Sequence, residues 1–316
     1  MLPPLAFELP AFMIGLLFGS FLNVCISRLP EHRSIAKPRS HCPNCKQTIA
    51  WYDNVPLLSW LVLRARCRHC REPISWRYPL VELAIGLWFA KYLGGSLHSI
   101  VQYHYIWDFG PPTVASDVTQ FTTAFGIAIL GFLLIGLIAM DWQTHRLPDA
   151  FTFPGMLIGF LLVCTQAIFL DPGQDEIKLT PKHDLRLSSP GSFVAKGNVF
   201  LTGPEHLVFG RLVAIAGAAL LLLAVRAIYK AMRGQEGLGL GDVKLLAMIA
   251  AFLGFWPAML ALFVGLISCA GYAVILMARG KAHGFTRLPL GSFLAVGGLV
   301  AALFGGPLIG WYSSFL

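Results

Sequence analysis

About eight apolar runs recur along this chain, and their length decides what it can fold into. They cover residues 9–27, 79–94, 121–140, 150–170, 208–228, 244–256, 257–278 and 288–312. A helix that crosses a bilayer needs roughly 20 mostly apolar residues, and backbone inside lipid must bond to itself. The composition agrees: 56% of residues are hydrophobic and 13% charged, with a mean hydropathy of +0.67. The expected class is therefore an all-α polytopic membrane protein with about eight transmembrane helices. The sixth run is short and meets the seventh at Trp256-Pro257, where a tight hairpin or re-entrant pair is expected. The first run lacks a basic leading segment and opens a polytopic chain, so it reads as a retained helix rather than a cleaved signal.

Lys and Arg placement sets the orientation. The loop 28–78 carries ten of the 24 basic residues, and Arg146, 226–244 and 279–287 carry eight more. The amino terminus, 95–120, the Trp256-Pro257 turn and the carboxyl terminus carry none. This predicts a cytoplasmic 28–78 loop and two periplasmic termini. The net charge of +8 is then an orientation signal, so the expected partner is the lipid bilayer and not nucleic acid. Residues 95–120, with Gly110-Pro111-Pro112, read as a polar external stretch. The segment 171–206, rich in Pro, Gly, Asp and Ser, reads as an irregular external loop. No internal repeat is visible.

Four of the seven cysteines form the paired motifs HCPNC and CRHC, at Cys42, Cys45, Cys67 and Cys70. Each C-x2-C turn offers two thiolates, and two turns complete a closed tetrahedral zinc site. Two disulfides are the alternative, disfavoured by a reducing cytoplasm. A small zinc-ribbon-like domain is expected between helices 1 and 2. His41 and His69 flank a shell already filled by sulfur and read as solvated. Cys25, Cys164 and Cys269 stand alone in apolar runs and read as small buried side chains.

Ionisable groups in spanning helices are costly, at about 2.5–3.5 kcal/mol near the centre, and so raise a functional question. Glu82, Asp141, Asp149 and Asp242 fall at the inner ends of helices, which places them at one depth. Asp149 after Pro148 and Asp242 after Gly241 are plausible N-caps. Asp141 closes a helix, where the dipole disfavours an anion, so capping does not explain it. Gly237, Gly239 and Gly241 before Asp242 would let a peptide backbone approach the carboxylate. They form no phosphate loop, because Lys244-Leu245 lacks the Gly-Lys-Ser/Thr ending. Two carboxylates at one depth suggest an aspartic dyad: the ionised partner deprotonates water and the protonated one bonds the developing oxyanion. Neither H-E-x-x-H nor G-x-S-x-G occurs in the chain.

Six stretches carry a resemblance: GSFLNVCISRLP (19–30), SHCPNC with CRHC, ISWRYPLVEL (74–83), MDWQTHRLPD (140–149), GLGLGDVKLL (237–246) and RLPLGSFLAVGG (287–298). Together they resemble the type IV prepilin peptidases, bifunctional leader peptidase/N-methyltransferases of bacterial inner membranes. The resemblance implies that Asp141 and Asp242 are the catalytic pair, with Asp149, Gly239, Gly241 and Lys244 accessory. It implies cleavage of type IV prepilins and type II secretion pseudopilins after a glycine on the cytoplasmic side. N-methylation of the new terminus with S-adenosylmethionine would follow. No glycine fingerprint locates that donor, and Glu82 is a weak candidate that reads more readily as a partner of Arg77 or another basic residue of the loop. The insert at 171–206 lengthens the gap between the aspartates beyond the family pattern.

The expected organisation is a first helix at 1–27, a four-cysteine zinc domain at 28–78, a second helix and external loop at 79–120, and a six-helix aspartic peptidase core at 121–316. A transporter with a zinc-ribbon accessory domain is the alternative. Its carboxylates would sit nearer the midplane, often within inverted repeats. A pilin-binding assembly factor is a second alternative, against which both aspartates stand intact.

Overall fold

Apolar runs bounded by Pro, Gly and polar residues become helices, and most of their ends fall within about five residues of the expected ones, the end of the second run and the start of the third excepted. A computed structural model describes residues 3–106, 114–169, 205–234, 238–280 and 288–314, and among these the regular secondary structure is helical. Helix α1 spans Leu5–Arg28, and a five-residue helix α2 spans Leu58–Val62. Helix α3 (Arg77–Phe89) runs through a π turn at Ala90–Gly94 into α4 (Gly95–Ile106). Then come α5 (Val114–Thr144), α6 (Asp149–Phe169) and α7 (Glu205–Arg233). Helices α8 (Leu240–Leu253), α9 (Phe255–Ala278) and α10 (Leu290–Ser313) complete the described fold.

Seven of the described helical segments are long and apolar enough to cross a membrane, and the short α8 is the eighth apolar run. Two expectations need correction. The stretch 95–106 is helical and extends the second span, because the π turn carries the helix onward instead of breaking it. The break between the sixth and seventh runs falls at Gly254, not Trp256-Pro257. Gly254 has φ 92 and ψ −179, a region essentially reserved for glycine. Pro257 instead sits in the first turn of α9, where its missing N–H costs nothing. The 171–206 loop falls almost entirely outside the described residues, as do Gly110-Pro111-Pro112 and Gly237.

Helix α8 has 14 residues, so it is about 21 Å long and falls short of the roughly 30 Å hydrocarbon layer. It can end inside the bilayer because protein surrounds it. Val243 and every residue from Leu245 to Ala251 are buried, against α6, α7, α9 and α10. A helix apolar on all sides belongs in a core. Helix α5 supplies the adjoining wall with Leu130, Leu134, Leu137 and Met140, and α1 and α3 add Leu22 and Ile85.

The 28–78 segment does contain a repeat, seen once backbone bonds are traced. In Ser40–Ile49 the Cys42 amide donates to Gln47 O, Lys46 to Cys42 O and Ile49 to Ser40 O. In Ala65–Ile74 the same three bonds recur as Cys67 to Glu72 O, Arg71 to Cys67 O and Ile74 to Ala65 O. Lys46 and Arg71, one residue after each second cysteine, both have positive φ (56 and 59). Ten residues per unit, with few shared side chains, hid the repeat from the sequence.

Candidate active site

Asp141 lies in the last turn of α5, where its own helix presents carbonyls, and it is only 5% exposed. Its relief comes from another helix. Ser292, in the first turn of α10, donates its backbone N–H to Asp141 Oδ2 at 2.6 Å and its hydroxyl to the same oxygen at 2.8 Å. The first amides of a helix lack partners within it and carry the positive end of the dipole. Asp141 therefore caps α10 across the fold. The close approach requires Gly291: a Cβ there would meet Asp141 Oδ2 at 3.1 Å and Leu147 Cδ1 at 2.8 Å. Sequence reasoning quoted the 287–298 segment without giving Ser292 a role. Its only local signal is a small polar residue opening an apolar run.

Asp242 is not the N-cap of α8. Gly239 takes that place, extended at φ −72 and ψ 146, and Asp242 sits three residues on. From there its carboxylate reaches back to the Gly239 amide, half of a capping box. Gly239 and Gly241 are small for contact rather than conformation. A Cβ at Gly239 would meet Asp242 Oδ2 at 3.3 Å, and one at Gly241 would meet Leu147 Cδ1 at 3.1 Å. Asp149 is likewise the first residue of α6 rather than its cap, and pairs with Lys244 Nζ at 2.7 Å. The Lys244 ammonium also lies 4.8 Å over the Phe153 ring.

One cavity of about 1100 Å³ collects Asp141, Asp149, Gly239, Gly241, Asp242 and Lys244. The turn after α1 adds His32 and Arg33, the α5–α6 connection adds His145 and Arg146, and Cys269 closes one side. Sequence reasoning missed these five. His32, Arg33, His145 and Arg146 resemble ordinary loop charges, and Cys269 resembles its solitary counterparts Cys25 and Cys164. Of those two, Cys25 is buried and Cys164 half-buried.

Glu82 lies apart from this cavity, and among the described residues neither Arg77 nor another base pairs with it. It is 8% exposed and accepts the Leu57 amide at 2.8 Å and the Ser20 hydroxyl. Arg77 instead donates to Gln143 Oε1 at 2.6 Å and Ser27 Oγ at 3.2 Å. Both Glu82 contacts tie parts of the chain together, the Leu57 amide before α2 and Ser20 of α1.

The sulfurs of Cys42, Cys45, Cys67 and Cys70 all lie within 4.8 Å of one another, with Cys42 and Cys70 at 3.7 Å. Metal–sulfur bonds of about 2.3 Å in a tetrahedron need sulfurs about 3.8 Å apart, so this donor set can hold a metal ion. Electrostatics agree. The amides of Cys70 and His69 hold the Cys67 thiol down to about 6. Cys45, although bonded through Gln47, is pushed up to about 11 by burial and the other three thiols. Four thiolates cannot share this space without a cation. His41 and His69 are exposed, as expected.

Comparison with known proteins agrees with this architecture. Residues 13–93 match the bacterial Peptidase A24 N-terminal domain, and 190–274 match the type IV leader peptidase family. The four cysteines and Asp242 fall inside these matches, while Asp141 and Ser292 fall outside them. A prepilin leader peptidase/N-methyltransferase of Stutzerimonas stutzeri is 31% identical over 99% of this chain and 96% of its own length. One from Burkholderia pseudomallei (strain 1026b) is 34% identical over 94% of this chain and 85% of its own. One from Klebsiella pneumoniae is 37% identical over 78% and 85%. No solved structure matches. With relatives of this identity spanning nearly its whole length, the chain belongs to the type IV leader peptidase family.

Proposed function

We propose that this protein cleaves the leader of type IV prepilins and type II secretion pseudopilins after a glycine, with Asp141 and Asp242 as the catalytic pair. The observation that carries this is that two carboxylates, far apart in sequence, reach one cavity from the ends of α5 and α8. Carboxylates brought together in one site share a proton. Asp141, with two donors on one oxygen, suits the ionised role and takes a proton from water. The water oxygen attacks the scissile carbonyl carbon while Asp242 bonds the developing oxyanion. Collapse of the tetrahedral intermediate breaks the C–N bond, and a carboxyl proton passes to the leaving amine. Gly239 and Gly241 leave room for the substrate backbone, and Lys244 with Asp149 forms the cavity rim.

The cysteine site holds Zn2+ in a structural role. The product amine is then methylated, with S-adenosylmethionine supplying the methyl group. The enzyme sits in the bacterial inner membrane with 28–78 cytoplasmic and both termini periplasmic, as the basic loops require.

Cleavage of a prepilin with a Gly-Phe junction, in membranes or detergent, tests the pair. Asp141→Asn and Asp242→Asn should abolish cleavage while inserting normally, and Asp149→Asn should retain most of it. Wild-type cleavage by either of the first two would overturn the assignment and shift attention to Asp149.

A further inference from the structure

The metal-binding unit turns large apolar side chains outward. Trp51 is 76% exposed, Leu61 64%, Val62 68% and Trp76 72%, with Leu58 also open. Leu58, Leu61 and Val62 stand three and four residues apart, on one face of α2. In a domain surrounded by water this would be an uncovered apolar patch of a kind that soluble proteins avoid.

Three contacts fix its height relative to the spanning helices. Glu82 lies five residues inside α3, about 7.5 Å along the axis, and its side chain leans back toward the helix start. Its carboxylate holds the amide of Leu57, the residue that enters α2. Ser20, the other donor to Glu82, lies about 12 Å before the end of α1. The start of α2 is thus held below the level at which both helices leave the membrane. Trp60 packs on Trp76 at 4.4 Å, and Trp76 immediately precedes α3, where indoles anchor at headgroup level. Leu80 and Leu83, in the first turns of α3, already face outward, so lipid begins where α2 is tethered.

We propose that Trp51–Val62, with Trp76, is an interfacial element lying in the headgroup–acyl boundary of the bilayer. Helices of that kind bury their apolar face about 5–10 Å into this boundary, which is the depth the Glu82 tether sets. Arg64 and Arg66 follow α2 directly and are exposed, so anionic headgroups complement its edge. The tether holds a strained turn in place. Leu57 adopts φ 58 and ψ −49, with the Leu58 amide bonded to Pro56 O at 2.6 Å, a turn that a branched side chain rarely accepts. The proposal rests on α1 and α3 being spans and not on the peptidase reading.

The test places photoreactive benzoylphenylalanine at Leu61, at Val62 and, as a water-facing control, at Arg71. The full chain is reconstituted in vesicles of phosphatidylethanolamine with phosphatidylglycerol and irradiated with a prepilin present. Retained bound metal shows that each variant has folded. Lipid adducts should form at 61 and 62 severalfold more than at 71. Adducts to the prepilin or to a second copy, in place of lipid, would overturn the proposal and make the patch a protein-docking face. Lipid adducts no more frequent at 61 and 62 than at 71 would also overturn it, leaving the patch in water.

Discussion

Asp141 shows how a residue can be wrong for its own helix and right for the fold. At the carboxyl end of α5 it faces unfavourable dipoles, and the first turn of α10 reverses that by offering Ser292 twice. Hydrogen bonds to charged groups contribute about 1.5–3 kcal/mol, so Ser292→Ala should lower kcat by roughly tenfold to a hundredfold. KM should change little, because Ser292 is buried behind the carboxylate, and Ser292→Thr should restore part of the rate. Steady-state cleavage of a prepilin peptide decides this; a rise in KM at constant kcat would make Ser292 a substrate contact instead. Glu82 is similar in kind: its carboxylate accepts from Leu57 and Ser20, both far from it in sequence. Neither role is written in local sequence, since each partner lies on a different segment of the chain.

At the scale of elements, α8 decides the geometry. It must begin where Asp242 can enter the cavity and must stop inside the membrane without leaving carbonyls bare. Gly254 ends it by turning into a backbone region closed to other residues, while its amide bonds Ala250 O at 2.9 Å. Arg211 of α7 reaches the same carbonyl at 3.4 Å, a cation at the negative end of the helix. Gly254→Ala should therefore cost about 1–3 kcal/mol. Gly271→Ala, where a Cβ meets open space at ordinary φ, should be near neutral. Thermal unfolding in detergent compares the two directly; equal midpoints would show that the Gly254 turn can relax.

For the whole molecule, the metal unit and the aspartate cavity meet at 29–33, yet that border is the turn directly after α1. The His32 amide bonds Leu29 O and the Arg33 amide bonds Arg28 O, so this wall does not depend on the cysteines. Removing metal with a chelator, or by Cys42→Ser with Cys70→Ser, should open 34–76 to proteolysis, because such units fold on their ion. Leader cleavage should fall by no more than a few-fold, while the methylated share of product should drop sharply. Mass spectrometry of the released pilin terminus reads both at once. Complete loss of cleavage would show that the metal unit shapes the aspartate cavity after all.

What the sequence determined by itself was set by local composition and by the membrane. Apolar length drew the helices, and two C-x2-C pairs marked the metal site. Carboxylates at helix ends singled out Asp141 and Asp242, which line one cavity. Each of these is a property of a short window, so a linear reading captures it. Tertiary structure decided the rest. It put the break at Gly254, drew α3 on through a π turn into α4, replaced the expected caps at Asp149 and Asp242 with an ion pair and a half capping box, and aimed Ser292 at Asp141. It also tied α2 to Glu82. All of these depend on which helix packs beside which, and the bilayer fixes depth while leaving neighbours open. That choice is made by burial and hydrogen bonding between segments distant in the chain.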